Sequence, residues 1–230
     1  MKLVLFDIDG TLLSSEGAGM RAMRVALTAL FGTTGDPAYR YDGKTDKQIV
    51  RDLMRGHGHD DDYINDRMDA LLELYLKELA REVKSGERVP RTLPGIPHLL
   101  DELEANEQVT LGLLTGNIEP GAKVKLAAAG VDVSRFRVNA FGSDHEHRPE
   151  LPGVAQRRAA DFLGRELEGD SIYVIGDTPA DIRCGEAIGA RAIGVATGHY
   201  SVDDLTQHEP FAVFENLAET SAVVRVILDG

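Results

Sequence analysis

The chain has 230 residues, of which 43% are hydrophobic and 27% charged, a balance that suits a globular protein with a core of useful size. No apolar run approaches the roughly 20 residues that cross a bilayer, and a formal charge of −13 argues against broad nucleic-acid binding, because a phosphate backbone would be repelled. Cys184 is the one cysteine, which rules out an intrachain disulfide and fits a reducing compartment. The stretch MKLVLF before the first acidic pair is too short for a signal peptide, so a cytoplasmic location is expected.

In chain order, the apolar run 3–6 reads as a strand buried on both faces. The block 17–91 then drops the strand pattern and reads as helices over 20–30, 47–55 and 62–83. Thr45, with Gln48 three residues on, forms a capping box at the start of the second. The intervening HGHDDD falls between helices at irregular spacing and reads as a solvated loop. Pro90 and Pro94 punctuate the return to a different pattern. From there strands at 109–114, 172–175 and 192–195 alternate with helices at 96–105, 120–129, 151–163 and 181–188. A last helix is predicted over 216–228, with Leu217, Val223, Val224 and Ile227 as its buried stripe. Strands alternating with helices predict an α/β fold, an open parallel sheet with right-handed crossovers. The expected division is a core of 1–16 and 92–230, with 17–91 as an inserted all-helical cap.

In such sheets the active site lies at the carboxyl ends of the strands. The first strand delivers Asp7-Ile8-Asp9-Gly10-Thr11, with both aspartates on one side if alternation holds and Gly10 turning the chain away. Another strand delivers Gly176-Asp177-Thr178-Pro179-Ala180-Asp181 to the same edge. Strand ends often carry aspartates, but several at one edge repel unless a cation sits among them. Mg²⁺ suits that role, needing one or two carboxylates plus substrate phosphate. Asp7 is the candidate metal ligand and phosphorus-attacking nucleophile, and Asp9 the candidate acid and base. Asp177 is expected to complete the metal site, and Asp181 to ligate through water or orient its partners.

Thr115-Gly116-Asn117, after the strand at 109–114, suits phosphate oxygens, with the dipole of the following helix assisting. Phosphoryl transfer also needs a positive charge near the developing oxyanion. Arg148 is the chosen cation; Lys123 and Lys125 are rivals, read more readily as exposed helical charges. His145 and His147 lack a third ligand at zinc spacing and read as a surface loop.

Together these segments resemble the haloacid dehalogenase-like hydrolase superfamily, in its phosphoglycolate phosphatase-like branch. LFDIDGTLL matches the nucleophile motif, Leu114–Asn117 the Thr/Ser motif and IGDTPAD the acidic metal motif, in the family's order. The resemblance implies a Rossmann-like core, a helical cap after the first strand, and Mg²⁺-dependent phosphate-ester hydrolysis, with Asp9 binding metal beside Asp7 and Asp177. One departure is Arg148 before Pro149, where the family offers lysine; a wide fork replaces a point donor. Dehalogenating relatives lack the second aspartate of the first motif and phosphonate-cleaving ones replace it, so Asp9 favours phosphate transfer.

A phosphosugar mutase would use the same core residues, and a non-catalytic binding protein would be expected to lose Asp7, Asp9 or Asp177, all present here. The expected partner is a small phosphorylated metabolite, handled by a monomer or homodimer. Candidate cap contacts are Arg21, Arg24 and Lys44, with Lys44 preferred because it precedes a helix start.

Overall fold

A computed structural model describes residues 1–84 and 89–230; residues 85–88 of the expected cap lie outside the described residues. Strand β1 (Lys2–Phe6) is a run of bulky apolar residues, and its two faces enter two different cores. Val4 and Phe6 pack with Leu111, Leu113 and the helices α4 (Ile96–Glu104) and α9 (Thr220–Asp229). Leu3 and Leu5 pack the other way, against Leu151, Ala155 and Ala159 of α6 (Leu151–Leu163). A strand covered on both sides is the signature of a parallel sheet.

The sheet has six parallel strands. Beside β1 lie β4 (Val109–Thr115) and β6 (Ile172–Gly176). Outward from β4 comes β5 (Val138–Phe141), and outward from β6 come β7 (Arg191–Val195) and β8 (Ala212–Phe214), giving the order β5-β4-β1-β6-β7-β8. The order reverses around β1, so β1 ends at the topological switch point where open α/β sheets bind ligands. Strands β5 and β8 are absent from the sequence prediction. Each is short, and β5 carries Asn139, whose Oδ1 accepts from the Leu113 amide at 3.0 Å. Helix α9 starts at Thr220 rather than 216, because Asn216 accepts from the Ala218 amide at 2.9 Å and holds a turn there. Leu217 still reaches the core from that turn.

Between β2 (Leu13–Ser14) and β3 (Arg91–Thr92) lies the helical block: α1 (Ala18–Phe31), α2 (Asp46–Gly56) and α3 (Asp61–Glu82). It has its own apolar cluster, with Ala18, Ala22 and Ala26 of α1 meeting Ile64, Leu71, Tyr75 and Leu79 of α3. Alanines at every fourth residue form a flat stripe that lets the two helices approach closely. The outgoing and returning chains pair antiparallel, Leu13 with Thr92 and Ser14 with Arg91, so both crossovers leave the sheet side by side. Thr45 caps α2 by accepting from the Gln48 amide at 3.1 Å, and Asp60 of the HGHDDD loop caps α3. No helix among the described residues is long and apolar enough to cross a membrane.

Candidate active site

The site is built at the carboxyl edge of β1, β4 and β6. Asp7 follows β1 directly, and its amide donates to the Ile175 carbonyl at 2.9 Å, extending the β1–β6 ladder by one step. The amides of Thr11, Leu12 and Leu13 then return to the Ile8 carbonyl, closing a tight turn. Gly10 in that turn has φ 83°, a left-handed conformation, and any Cβ there would overlap the Asp177 carboxylate. Glycine is therefore required twice over, by backbone angle and by close approach.

Asp7, Asp177 and Asp181 are all buried, and each offers an oxygen within 4.8 Å of the others. Burial and the Asp181 and Asp9 charges raise the Asp7 carboxyl to about 6 despite the opposing pull of Arg148. Burial, then Asp181 and Asp7, push Asp177 well above the usual carboxylate range. Such upward shifts in neighbouring acids mark a cluster short of positive charge. An all-oxygen donor set fits a hard divalent cation.

Arg148, 3% exposed, stands in a short turn just before α6. Its Nη2 donates to Asp181 and lies 3.3 Å from Asp7 Oδ1. The other oxygen of Asp181 accepts from the Thr178 amide at 3.0 Å and hydroxyl at 2.7 Å, completing a capping box on α7 (Pro179–Cys184). Asp181 thus ties Arg148 to the end of β6. Arg148 serves both carboxylates through one nitrogen, while its Nε is buried without a hydrogen-bond partner. The fork geometry anticipated for arginine is not used on these two acids.

Asp9 lines the same cavity as Asp7, on the side that alternation predicts, but it has different partners. Its carboxylate accepts from Ser15 Oγ at 2.6 Å, Lys125 Nζ at 2.6 Å and Asn117 Nδ2 at 2.9 Å. The turn at residues 8–13 has carried it to the groups of α5 (Glu119–Ala128), outside the Asp7–Asp177–Asp181 cluster. Of the ligand set expected from the sequence, Asp7 and Asp177 cluster with Asp181, while the Asp9 carboxylate lies apart from that group. Burial pushes the Asp9 carboxyl up, but Lys125, Ser15 and Asn117 outweigh it and hold it below the usual value.

Lys125 corrects the sequence reading. It is 4% exposed, not a surface charge, whereas Lys123 is exposed and pairs with Glu119 at 2.7 Å. Spacing could have found this, since Lys125 lies one helical turn from Ala122 and directly before Leu126, both in the core. Thr115 is fully buried, and its Oγ1 accepts from the Asn117 side chain at 2.8 Å. The first amides of α5 are occupied: Ile118 donates to Asp46 Oδ2 at 2.8 Å and Glu119 to Ser143 Oγ at 2.8 Å. A carboxylate from the helical block already takes the position proposed for the helix dipole to greet phosphate. Burial raises that Asp46 carboxyl to about 6, although Lys125 and the Ile118 amide pull the other way.

Asp46 was not singled out in the sequence; its signal was the position directly after the Thr45 cap. The Asp46 amide donates to the Gly116 carbonyl at 2.9 Å, and a Cβ on Gly116 would collide with the Lys44 carbonyl. Gly116 is thus needed for the approach of the helical block. Of the cap candidates, Lys44 lines the cavity over Asp7, but its ammonium lies 3.6 Å from Asp52 and over the Tyr39 ring. Arg21 pairs with Glu82 at 2.6 Å, and Arg24 is exposed. Cys184 is buried, with its thiol raised to about 12 by burial, which makes it unreactive.

The cavity measures about 420 Å³ and has Asp7, Asp9, Thr115, Asn117, Lys125 and Arg148 among its lining residues. The three clustered carboxylates (Asp7, Asp177, Asp181) stand against Arg148 and leave two negative charges when all are ionised, the amount one divalent ion neutralises. Although the chain is acidic overall, two buried cations, Lys125 and Arg148, line this cavity.

The model of the haloacid dehalogenase-like hydrolase family matches residues 4–186. A phosphoglycolate phosphatase of Rhodospirillum rubrum is 26% identical, covering 94% of this chain and 88% of its own. A probable phosphatase, IndB, of Dickeya dadantii is 25% identical over 98% of this chain and 94% of its own. A hydrolase structure from Pseudomonas syringae superposes with a TM-score of 0.75 at 22% identity, covering 99% of both chains. With the family model spanning most of the sequence and the acidic edge assembled from its motifs, the chain belongs to the haloacid dehalogenase-like hydrolases.

Proposed function

We propose that the chain is a Mg²⁺-dependent phosphatase that hydrolyses a small phosphate monoester through an aspartyl-phosphate on Asp7. The observation that carries this reading is the Asp7 carboxylate at the cavity floor, flanked by Arg148 and the other two buried aspartates. Phosphatases among its relatives support the same reaction class. A Mg²⁺ ion held by Asp7, Asp177 and Asp181 would supply positive charge beside the transferring phosphoryl group. An Asp7 oxygen forms the new bond to phosphorus as the ester bond to the leaving oxygen breaks. Asp9 protonates that oxygen, then accepts a proton from the water that releases phosphate and regenerates Asp7. The lowered Asp9 carboxyl of the free protein gains its proton as the phosphate's negative charge arrives. Thr115 and Asn117 border the phosphate, with Gly116 between them. The block 17–91 acts as the cap, closing water out over the cavity.

The direct test is a panel of phosphate monoesters with Mg²⁺, combined with trapping of acid-stable or reduced phospho-aspartate. Free phosphate and a labelled Asp7 are expected; an isomerised sugar phosphate instead of free phosphate would overturn hydrolysis in favour of a mutase. Asp177→Asn is expected to raise the Mg²⁺ concentration for half-maximal rate by about 10- to 100-fold, on the scale of metal-site perturbations. An unchanged metal titration removes Asp177 from the ligand set.

Metal binding should also depend on pH with a definite sign. Asp7 at about 6 and Asp177 above its usual value hold protons more tightly folded than unfolded. Without metal the Asp7 contribution to stability is greatest below about pH 4 and is lost as pH rises through about 6, and that of Asp177 has the same sign. A cation must displace those protons. Saturating Mg²⁺ is expected to raise Tm by about 5–10 °C at pH 8 and by under about 2 °C at pH 5, read by differential scanning fluorimetry. Equal shifts at both pH values would separate these carboxyls from metal binding.

A further inference from the structure

Lys125 is a costly residue to place where it stands. Its ammonium is almost completely withdrawn from water, and an apolar side chain of similar length would fill the site without that cost. Two donors are committed, to Asp9 Oδ2 at 2.6 Å and to Asn117 Oδ1 at 2.7 Å. The Asn117 amide is thereby oriented, with its NH₂ turned to Asp9 Oδ2 at 2.9 Å and Thr115 Oγ1 at 2.8 Å. Ser15, from the segment entering the helical block, fixes the remaining oxygen of Asp9. Three separate segments therefore hold one carboxylate, and Lys125 is the only charged group among them.

The two buried cations divide the work. Arg148 lies with Asp7 and Asp181, on the side where the bond to phosphorus forms. Lys125 touches neither and lies with Asp9. It also sits against the helical block: a Cβ on Gly19 of α1 would lie 3.0 Å from its Nζ. The ammonium is thus packed against the helical block that overlies the cavity.

We propose that Lys125 is a positioning residue for the proton-transfer step, orienting the Asp9 carboxylate toward the leaving oxygen and later toward water. The inference rests on the phosphatase reading above and adds a residue that the family motifs do not contain. A purely structural ion pair would affect all substrates alike. A residue that positions the proton donor matters most when the leaving group is a poor one, because a good leaving group departs without a proton.

The test compares Lys125→Met with the unmodified protein, both with Mg²⁺, by rapid-quench kinetics on p-nitrophenyl phosphate and phenyl phosphate. These esters share a shape and differ in leaving-group quality. The burst on p-nitrophenyl phosphate is expected to stay within about threefold, while that on phenyl phosphate falls about 100-fold, the scale of general acid catalysis. Steady-state turnover should fall on both, because the water step also needs Asp9. An equal loss of burst on both esters, or no loss on either, overturns the proposal. If Lys125→Met does not fold, Lys125→Gln, which keeps an N–H donor, is read by the same two ratios. Failure to trap a phospho-aspartate in the unmodified protein would instead sink the covalent reading itself, so the two failures are distinguishable.

Discussion

Asp7→Asn is expected to cut turnover by at least about 10⁴-fold, the scale seen when a covalent nucleophile is removed, with no loss of thermal stability. The amide keeps the size and shape of the carboxylate but cannot form the acyl phosphate. Its effect on folding runs the opposite way. Asp7 is buried beside Asp181 and Asp9, and burial and their charges raise its carboxyl to about 6. Above that pH a neutral side chain relieves repulsion within the cluster. Melting at pH 8 without metal should therefore be unchanged or higher than in the unmodified protein. A variant that retains near-normal phosphate release would refute attack by Asp7, and one that melts far lower would mean its charge is structural.

Arg148→Ala carries the second large effect, on both stability and rate. In the metal-free protein Arg148 is the cation that touches Asp7 and Asp181. Its removal leaves buried carboxylates uncompensated, a change that costs about 3–5 kcal/mol when one partner of a buried pair is deleted. Turnover should drop about 10²- to 10³-fold, as when a preorganised charge beside a transferring group is lost. Added Mg²⁺ is expected to recover much of the stability, since it supplies charge to the same cluster, and little of the rate. Arg148→Lys should retain most of both, because the arginine reaches its two acids through Nη2 alone. Chemical denaturation with and without Mg²⁺ and steady-state rates would measure all three effects. If Arg148→Ala denatures like the unmodified protein, the pairing is energetically idle.

The sequence determined a good deal by itself. The apolar run ending in Asp7-Ile8-Asp9-Gly10-Thr11 fixed a buried strand, a sharp turn and two carboxylates at one sheet edge, because strand length and glycine's backbone freedom are local properties. The helix at 151–163 and the Thr45 cap followed from periodicity and from one side chain meeting one amide. Strands β5 and β8 were not legible, since their short segments gain strand character only by pairing with β4 and β7.

Which charge meets which was a tertiary matter. The sequence offered Arg148, Lys123 and Lys125 as rivals for one role. Folding buried two of them on different acids and left Lys123 in solvent. It also brought Asp46 from a distant helix onto the Ile118 amide and drew Asp181 in with Asp7 and Asp177. The physical reason is that motif spacing sets where a carboxylate leaves its strand. Its partner is set by whatever cation the packing of other elements withdraws from water, and a charge deprived of water settles on the nearest opposite one.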